Sequence, residues 1–229
     1  MKKTIAMAAA AAVVALGQLA LAGSAQAQTP EFAFNIGATS DYVFRGFSQT
    51  LEDPAIFGGI DATLGSFYAG AWASNVDFGD DTDGELDIYG GYRTEVAGYA
   101  VDVGAVAYVY LDAPGAADYD YLEVKLGVSR AIGPMTFGAV AYVSPDFFGV
   151  DEEAAYAEVN GAYVADDGLS VSGAFGYQAL DVNDDYTTWN LGVGIPIVAG
   201  LGLDLRYHDT DVDGTLSEDR FVGSVKYSF

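Results

Sequence analysis

The chain has 229 residues and no cysteine, which excludes a disulfide-stapled secreted scaffold. Its 33 acidic residues against nine basic ones exclude nucleic acid as a partner, because phosphate binding needs the opposite sign. Two of the basic residues, Lys2 and Lys3, fall in the first 27 and none of the acidic ones does, so residues 28–229 carry seven basic against 33 acidic, a formal charge of −26.

The chain opens with Lys2 and Lys3, an apolar run from Ile5 to Ala22, and Ala25-Gln26-Ala27. A charged n-region, an apolar h-region and an A-x-A site read as a secretory signal peptide over 1–27, leaving 28–229 as the mature domain. No later stretch approaches the roughly twenty uninterrupted apolar residues of a spanning helix. The mature region is instead patterned by two-residue alternation, as in strands with one oily and one wet face.

Turn residues divide this region into twelve strands, read as 31–44, 55–64, 66–76, 85–95, 99–111, 119–130, 135–144, 153–164, 169–179, 187–196, 201–209 and 219–229. The links alternate in length. Gly65-Ser66, Ala97-Gly98, Ile132-Gly133-Pro134, Asp166-Asp167-Gly168 and Val198-Ala199-Gly200 are tight turns, and longer loops lie between them. Pro30, Pro54, Pro114, Pro134, Pro145 and Pro196 all fall in links or at strand ends, as they must where a ladder needs N–H donors. The last strand places Phe221, Val225, Tyr227 and Phe229 on one face and Ser224, Lys226 and Ser228 on the other. A closing strand ending in an aromatic residue resembles the signal read by the barrel-insertion machinery, which makes that machinery an expected partner.

The expected fold is therefore all-β, a transmembrane antiparallel up-and-down barrel of about twelve strands in the outer membrane of a Gram-negative bacterium, with membrane lipid around it. A soluble β-sandwich would share the alternation. It would not account for the leader, the short and long links, and two aromatic girdles: Phe32, Phe67, Tyr99, Phe137, Tyr163 and Phe229 at one end, Tyr42, Trp189 and Tyr207 at the other. Because charge is costly against lipid, Asp61, Asp87, Arg93, Asp102, Glu123, Lys125, Glu158, Asp204, Arg206 and Lys226 are assigned to the lumen.

These interior ions are the first candidate site. Arg45, Arg93, Lys125 and Arg206 facing Asp41, Asp61, Asp87 and Glu123 would build a charged constriction, or would merely satisfy one another as buried charges must. Acid-rich loops around Asp77–Asp83, Asp181–Asp185 and Asp211–Asp219 would concentrate cations at the mouth, or keep a surface solvated. Asp209, Asp211 and Asp213 followed by Gly214 match half of a calcium loop, but position twelve is Arg220 where a bidentate Glu is needed. His208, the sole histidine, has no Ser two residues away, which weakens a lipid-modifying enzyme.

The segments NIGATSDYVFRGFSQT (35–50) and PAIFGGIDATLG (54–65) resemble the opening signature of the TorF-type porins of proteobacteria. The resemblance rests on Asn35, Gly37, Ser40, Asp41, Tyr42, Phe44, Arg45, Gly46, Ser48, Gln49, Thr50, Pro54, Ala55, Gly59 and Asp61. It implies an outer-membrane barrel with a pore role and brings no catalytic residue or cofactor. By strand parity Asp41, Val43 and Arg45 face inward while Tyr42 and Phe44 face outward, and Gln49 and Thr50 could fold the first loop back into the mouth. The expected activity is passive diffusion of small hydrophilic solutes, preferring cations, through a monomer; the alternatives are a plugged structural or adhesion barrel and a lipid-modifying enzyme.

Overall fold

The structure, a computed structural model, describes residues 29–229 apart from 116 and 117. The leader expected over 1–27 lies outside the described residues.

The strands are β1 (Glu31–Thr39), β2 (Val43–Phe44), β3 (Phe47–Ser48), β4 (Ala55–Leu64), β5 (Phe67–Asn75), β6 (Gly84–Val96) and β7 (Tyr99–Leu111). They continue with β8 (Tyr121–Ile132), β9 (Met135–Ser144), β10 (Ala154–Val164), β11 (Ser170–Leu180), β12 (Tyr186–Val198), β13 (Leu201–Thr210) and β14 (Arg220–Ser228). β1 and β4 to β14 form one closed antiparallel barrel of twelve strands, and β2 and β3 form a separate small hairpin.

Alternation fixes which face is which. Along β8, Leu122, Val124 and Leu126 are 48%, 49% and 57% exposed, whereas the interleaved Glu123 is 1% exposed. The oily side chains point out and the ions point in, the reverse of a water-soluble core and the arrangement of a lipid-facing barrel. Phe32, Phe67, Tyr99, Phe137, Tyr163, Trp189 and Phe229 are outward as expected.

Twelve strands enclose a lumen wider than the eight-stranded barrel that side chains fill and narrower than the open channel of sixteen. Inward tyrosines lie flat across the neighbouring strands, and glycine makes the room. Tyr68 crosses Gly91 and Gly104, where a Cβ would sit 2.5 and 2.6 Å from its hydroxyl, and Tyr89 crosses Gly70 in the same way. The seam joins β1 to β14 from Asn35↔Ser228 to Thr39↔Ser224. Beyond it, Phe34 and Phe229 exchange both backbone hydrogen bonds at 2.9 and 3.0 Å and stack their rings with centroids 5.6 Å apart.

Three expectations are corrected. β1 ends at Thr39 instead of 44, because residues 40–54 leave the wall and enter the lumen. Tyr42, expected in an outward girdle, therefore packs inside against Trp72, with centroids 5.3 Å apart. Its alternation with Phe44 is real, but it belongs to the hairpin β2–β3. Pro196 lies inside β12 instead of at its end, at the irregularity where the pairing with β13 shifts between Pro196 and Val198, a place where a strand tolerates proline.

Candidate functional site

The site is built on the 40–54 connection. Thr39 Oγ1 donates to the Asp41 carbonyl at 2.8 Å and turns the chain inward. The Asp41 carboxylate then organises the base of the hairpin, accepting from Ser48 Oγ at 2.7 Å, Thr50 Oγ1 at 3.1 Å and Arg220 Nη1 of β14 at 2.8 Å. Val43 pairs with Ser48 and Phe44 with Phe47 across a two-residue turn, Arg45-Gly46. Both turn residues have positive φ, 47° and 92°, as a type I′ turn demands. Glycine is needed at 46 on a second count, since a Cβ there would lie 2.8 Å from Thr188 Oγ1 on β12 and still closer to the Thr210 side chain on β13.

Apolar residues dock the hairpin. Phe44 meets Tyr108 at 5.9 Å and Phe47 meets Tyr186 at 5.2 Å between centroids. Taken out of a watery lumen, each such ring contributes roughly 1.5–3 kcal/mol; against lipid it would gain nothing, so the inward path wins. Tyr42 Oη donates to Glu85 at 2.9 Å, and Asp77 N–H donates to the Gln49 carbonyl at 2.8 Å. Gln49 and Thr50 are buried, and the loop lies in the mouth.

At the tip, Arg45 spans the lumen. Nη2 reaches Glu123 Oε2 on β8 at 2.6 Å and Nη1 donates to Gln178 Oε1 on β11 at 2.9 Å. The guanidinium carbon stands 4.3 Å from the Tyr156 ring centre, 5.2 Å from Tyr142 and 4.7 Å from Phe44. Tyr108 Oη also donates to Glu123, at 3.1 Å. A buried charge is tolerated only with such complete partnering.

The other candidates pair differently from the expected constriction. Asp102 on β7, placed in the lumen but not among the expected pairings, accepts from Tyr68 at 2.7 Å, Arg93 at 3.1 Å and Lys125 at 3.1 Å. Arg206 is held by its strand neighbour Asp204, with Nε–Oδ1 and Nη2–Oδ2 both 3.0 Å, and donates to Asn190 and Ser172. Asp61 meets no cation among the described residues and accepts from Tyr89 at 2.7 Å. Asp87 keeps one buried carboxylate oxygen without a hydrogen-bond partner among the described residues. Gln178 and Arg220 are the members that patterning does not select, and the partners of Asp102 are not given by it. Gln178 carries no charge, and the partners of Arg220 and Asp102 follow from how the barrel closes.

No group of three or more His, Cys, Asp or Glu side chains converges as a metal site among the described residues. In the half calcium loop, Asp209 Oδ1 accepts from the Thr210 N–H and Asp211 Oδ1 from the Thr187 N–H. His208 sits on β13 opposite Arg220 and Asn190, in the lumen wall.

Charge divides the barrel end from end. The six long connections (40–54, 76–83, 112–120, 145–153, 181–185 and 211–219) hold 21 of the 33 acidic residues and one basic residue, Arg45, which is turned inward. Three rim carboxylates stay ionised below the ordinary aspartate value of 3.8. The Thr82 N–H and the Tyr119 hydroxyl hold Asp80 low, Tyr177 and the Leu180 N–H hold Asp185 low, and the Thr187 N–H does so for Asp211.

Among solved structures the chain is similar to the KdgM porin, at 8% identity and a TM-score of 0.62, over 86% of this chain and 99% of that one. The NanC porin gives 10% and 0.58 over 87% and 99%. An outer membrane channel from Pseudomonas putida F1 gives 10% and 0.56 over 91% and 99%. All three are channels, and at these identities what is shared is the porin-like barrel fold. No curated protein matches the chain. Residues 24–229 match the family described as bacterial protein of unknown function (Gcw_chp), and the chain belongs to that family.

Proposed function

We propose that the protein is an outer-membrane channel, not an enzyme, through which small hydrophilic solutes diffuse with a preference for cations. Its orientation puts the tight turns and both termini in the periplasm and the long loops outside. The observation that carries this reading is the combination of a porin-like barrel with a charged lumen and a hairpin held in the mouth by polar latches at tip and base. A permanently sealed barrel needs no ion pair between a loop and its wall, because apolar packing of the same volume would serve at least as well. The acidic rim supports the cation preference: the loops would raise cation concentration over a Debye length of roughly 8–10 Å. KdgM has been solved with disordered oligogalacturonate, a polyanion; a mouth with 21 carboxylates and no outward basic residue in its loops is suited to the opposite sign of cargo.

Arg93, Lys125 and Asp102, with Arg206 and Asp204, line the passage below the hairpin, with Asp61 beside them and Asp87 at the level of the hairpin. The barrel acts as a monomer that meets the insertion machinery through β14. The second reading, a sealed structural barrel, is favoured by the burial of Arg45 and Glu123, whose side chains are 6% and 1% exposed. Planar-bilayer recordings of the refolded mature protein under a salt gradient separate the two. Cation-selective steps that grow when residues 43–48 are replaced by two glycines support the channel. Silence from both proteins, shown folded and inserted, leaves the sealed barrel.

A further inference from the structure

The pocket that Arg45 fills is a receptor for a cationic head group built largely from the wall. Glu123 and Gln178, 1% and 0% exposed, supply a carboxylate and an amide oxygen in the plane of the guanidinium. Tyr142 and Tyr156 present ring faces to it. These four side chains stand on β8, β9, β10 and β11, and a single register row carries Tyr142, Tyr156 and Gln178 across three adjacent strands, so the cage remains if the hairpin leaves. A carboxylate joined to aromatic faces is the general chemistry of organic-cation recognition.

Two further observations point the same way. Asp87 Oδ1 and Tyr121 Oη are buried without a hydrogen-bond partner among the described residues, and both belong to the row Asp87–Tyr108–Tyr121 that adjoins Glu123 on β8. The wall on this side therefore holds two polar atoms that Arg45 does not engage. The hairpin is also held at some cost: Arg45, Leu51 and Glu52 all have positive φ, which for a residue other than glycine is strained.

We infer that the Glu123–Gln178–Tyr142–Tyr156 cage is the channel's solute site, selective for small organic cations with a guanidinium or ammonium head, and that Arg45 is its internal occupant, displaced by the solute it resembles. This rests on the channel reading above and names its substrate class. A cation drawn in by the acidic rim exchanges with Arg45 at the cage, the hairpin swings toward the mouth, and the solute passes to the lower ion network.

The test uses the full mature chain with Arg45→Ala and, as probe, guanidinium chloride at about 10 mM, compared with equal sodium chloride and with urea, its neutral isostere. With a dissociation constant near 1 mM, guanidinium should raise the melting temperature of the variant in detergent micelles by about 3 °C. Sodium and urea should not, and Arg45→Ala with Glu123→Gln should show no rise. In bilayers the same concentration should block most of the variant's current. If Arg45→Ala fails to fold, Arg45→Gln, which keeps a donor toward Glu123, carries the same measurements. Equal shifts with guanidinium, sodium and urea overturn the cage. A selective thermal shift without current in any variant overturns the channel reading and leaves only a cation site; current without selective shift or block overturns the site and leaves the channel.

Discussion

The two halves of the lumen hold their ions in different ways. Toward the tight turns, Asp102 joins its strand to Arg93 and Lys125 on the two neighbouring strands, and Arg206, paired with Asp204 on its own strand, reaches Asn190 and Ser172 on the next two; all these partners are fixed by the barrel ladder. Toward the long loops, Arg45 with Glu123 and Asp41 with Arg220 join the inserted loop to the wall. Breaking a pair of the first kind strands a charge that cannot leave. Breaking one of the second kind lets the loop carry its charge back to water. The same chemistry thus serves cohesion in one half and retention of a movable part in the other.

The largest effect should come from removing that part. Replacing residues 43–48 by two glycines should raise single-channel conductance by about an order of magnitude while the barrel keeps its stability, because the wall pairs remain. Asp102→Asn should do the reverse. With Arg93 and Lys125 sharing no carboxylate, unfolding in urea from detergent micelles should lose about 3 kcal/mol and conductance should not increase. Equal destabilisation by Asp102→Asn and Glu123→Gln would erase the contrast between the halves.

Smaller effects sharpen it. Gly46→Ala, at φ 92° and against Thr188 and Thr210, should weaken hairpin docking by about 1.4 kcal/mol, a tenfold rise in open probability in bilayer recordings. Rim charge should be persistent in acid. Because Asp80, Asp185 and Asp211 titrate below 3.8, their charge is fully present well above that value and is lost only once pH has fallen below it, so the cation-selective reversal potential should survive from pH 7 to about pH 4 and decline below. Asp80→Asn should shift the reversal potential by a few millivolts and leave the urea unfolding midpoint where it is, since the side chain is exposed.

The barrel was legible in the sequence because lipid enforces a strict period of two, and a single misplaced ion is costly there. Leu122, Val124 and Leu126 against Glu123 and Lys125 fixes the two faces, and the alternating short and long links with the aromatic girdles decide which of them is outside. The hairpin was half legible. Inward Asp41 and Arg45 and a loop tucked by Gln49 and Thr50 can be read from the residues, but Tyr42 and Phe44 continue the alternation of β1, and nothing local separates a wall strand from a short hairpin inside the lumen. The ion partners were not legible beyond their general place. Asp102 meets Lys125 because Gly104, two residues further along β7, pairs with Lys125, and such registers depend on how the whole cylinder closes.

The seam between β1 and β14 has a consequence for assembly. It joins opposite ends of the chain, so its loop-closure cost is the highest in the molecule and it is expected to zip last. β1 is also the strand that leads directly into the hairpin, anchored across the same seam by Asp41 and Arg220. The step that makes the cylinder continuous is then the step that seats its stopper. On the channel reading proposed above, a barrel that closes in this order would be stoppered from the moment it is a cylinder, and no copy would pass through a leaking stage.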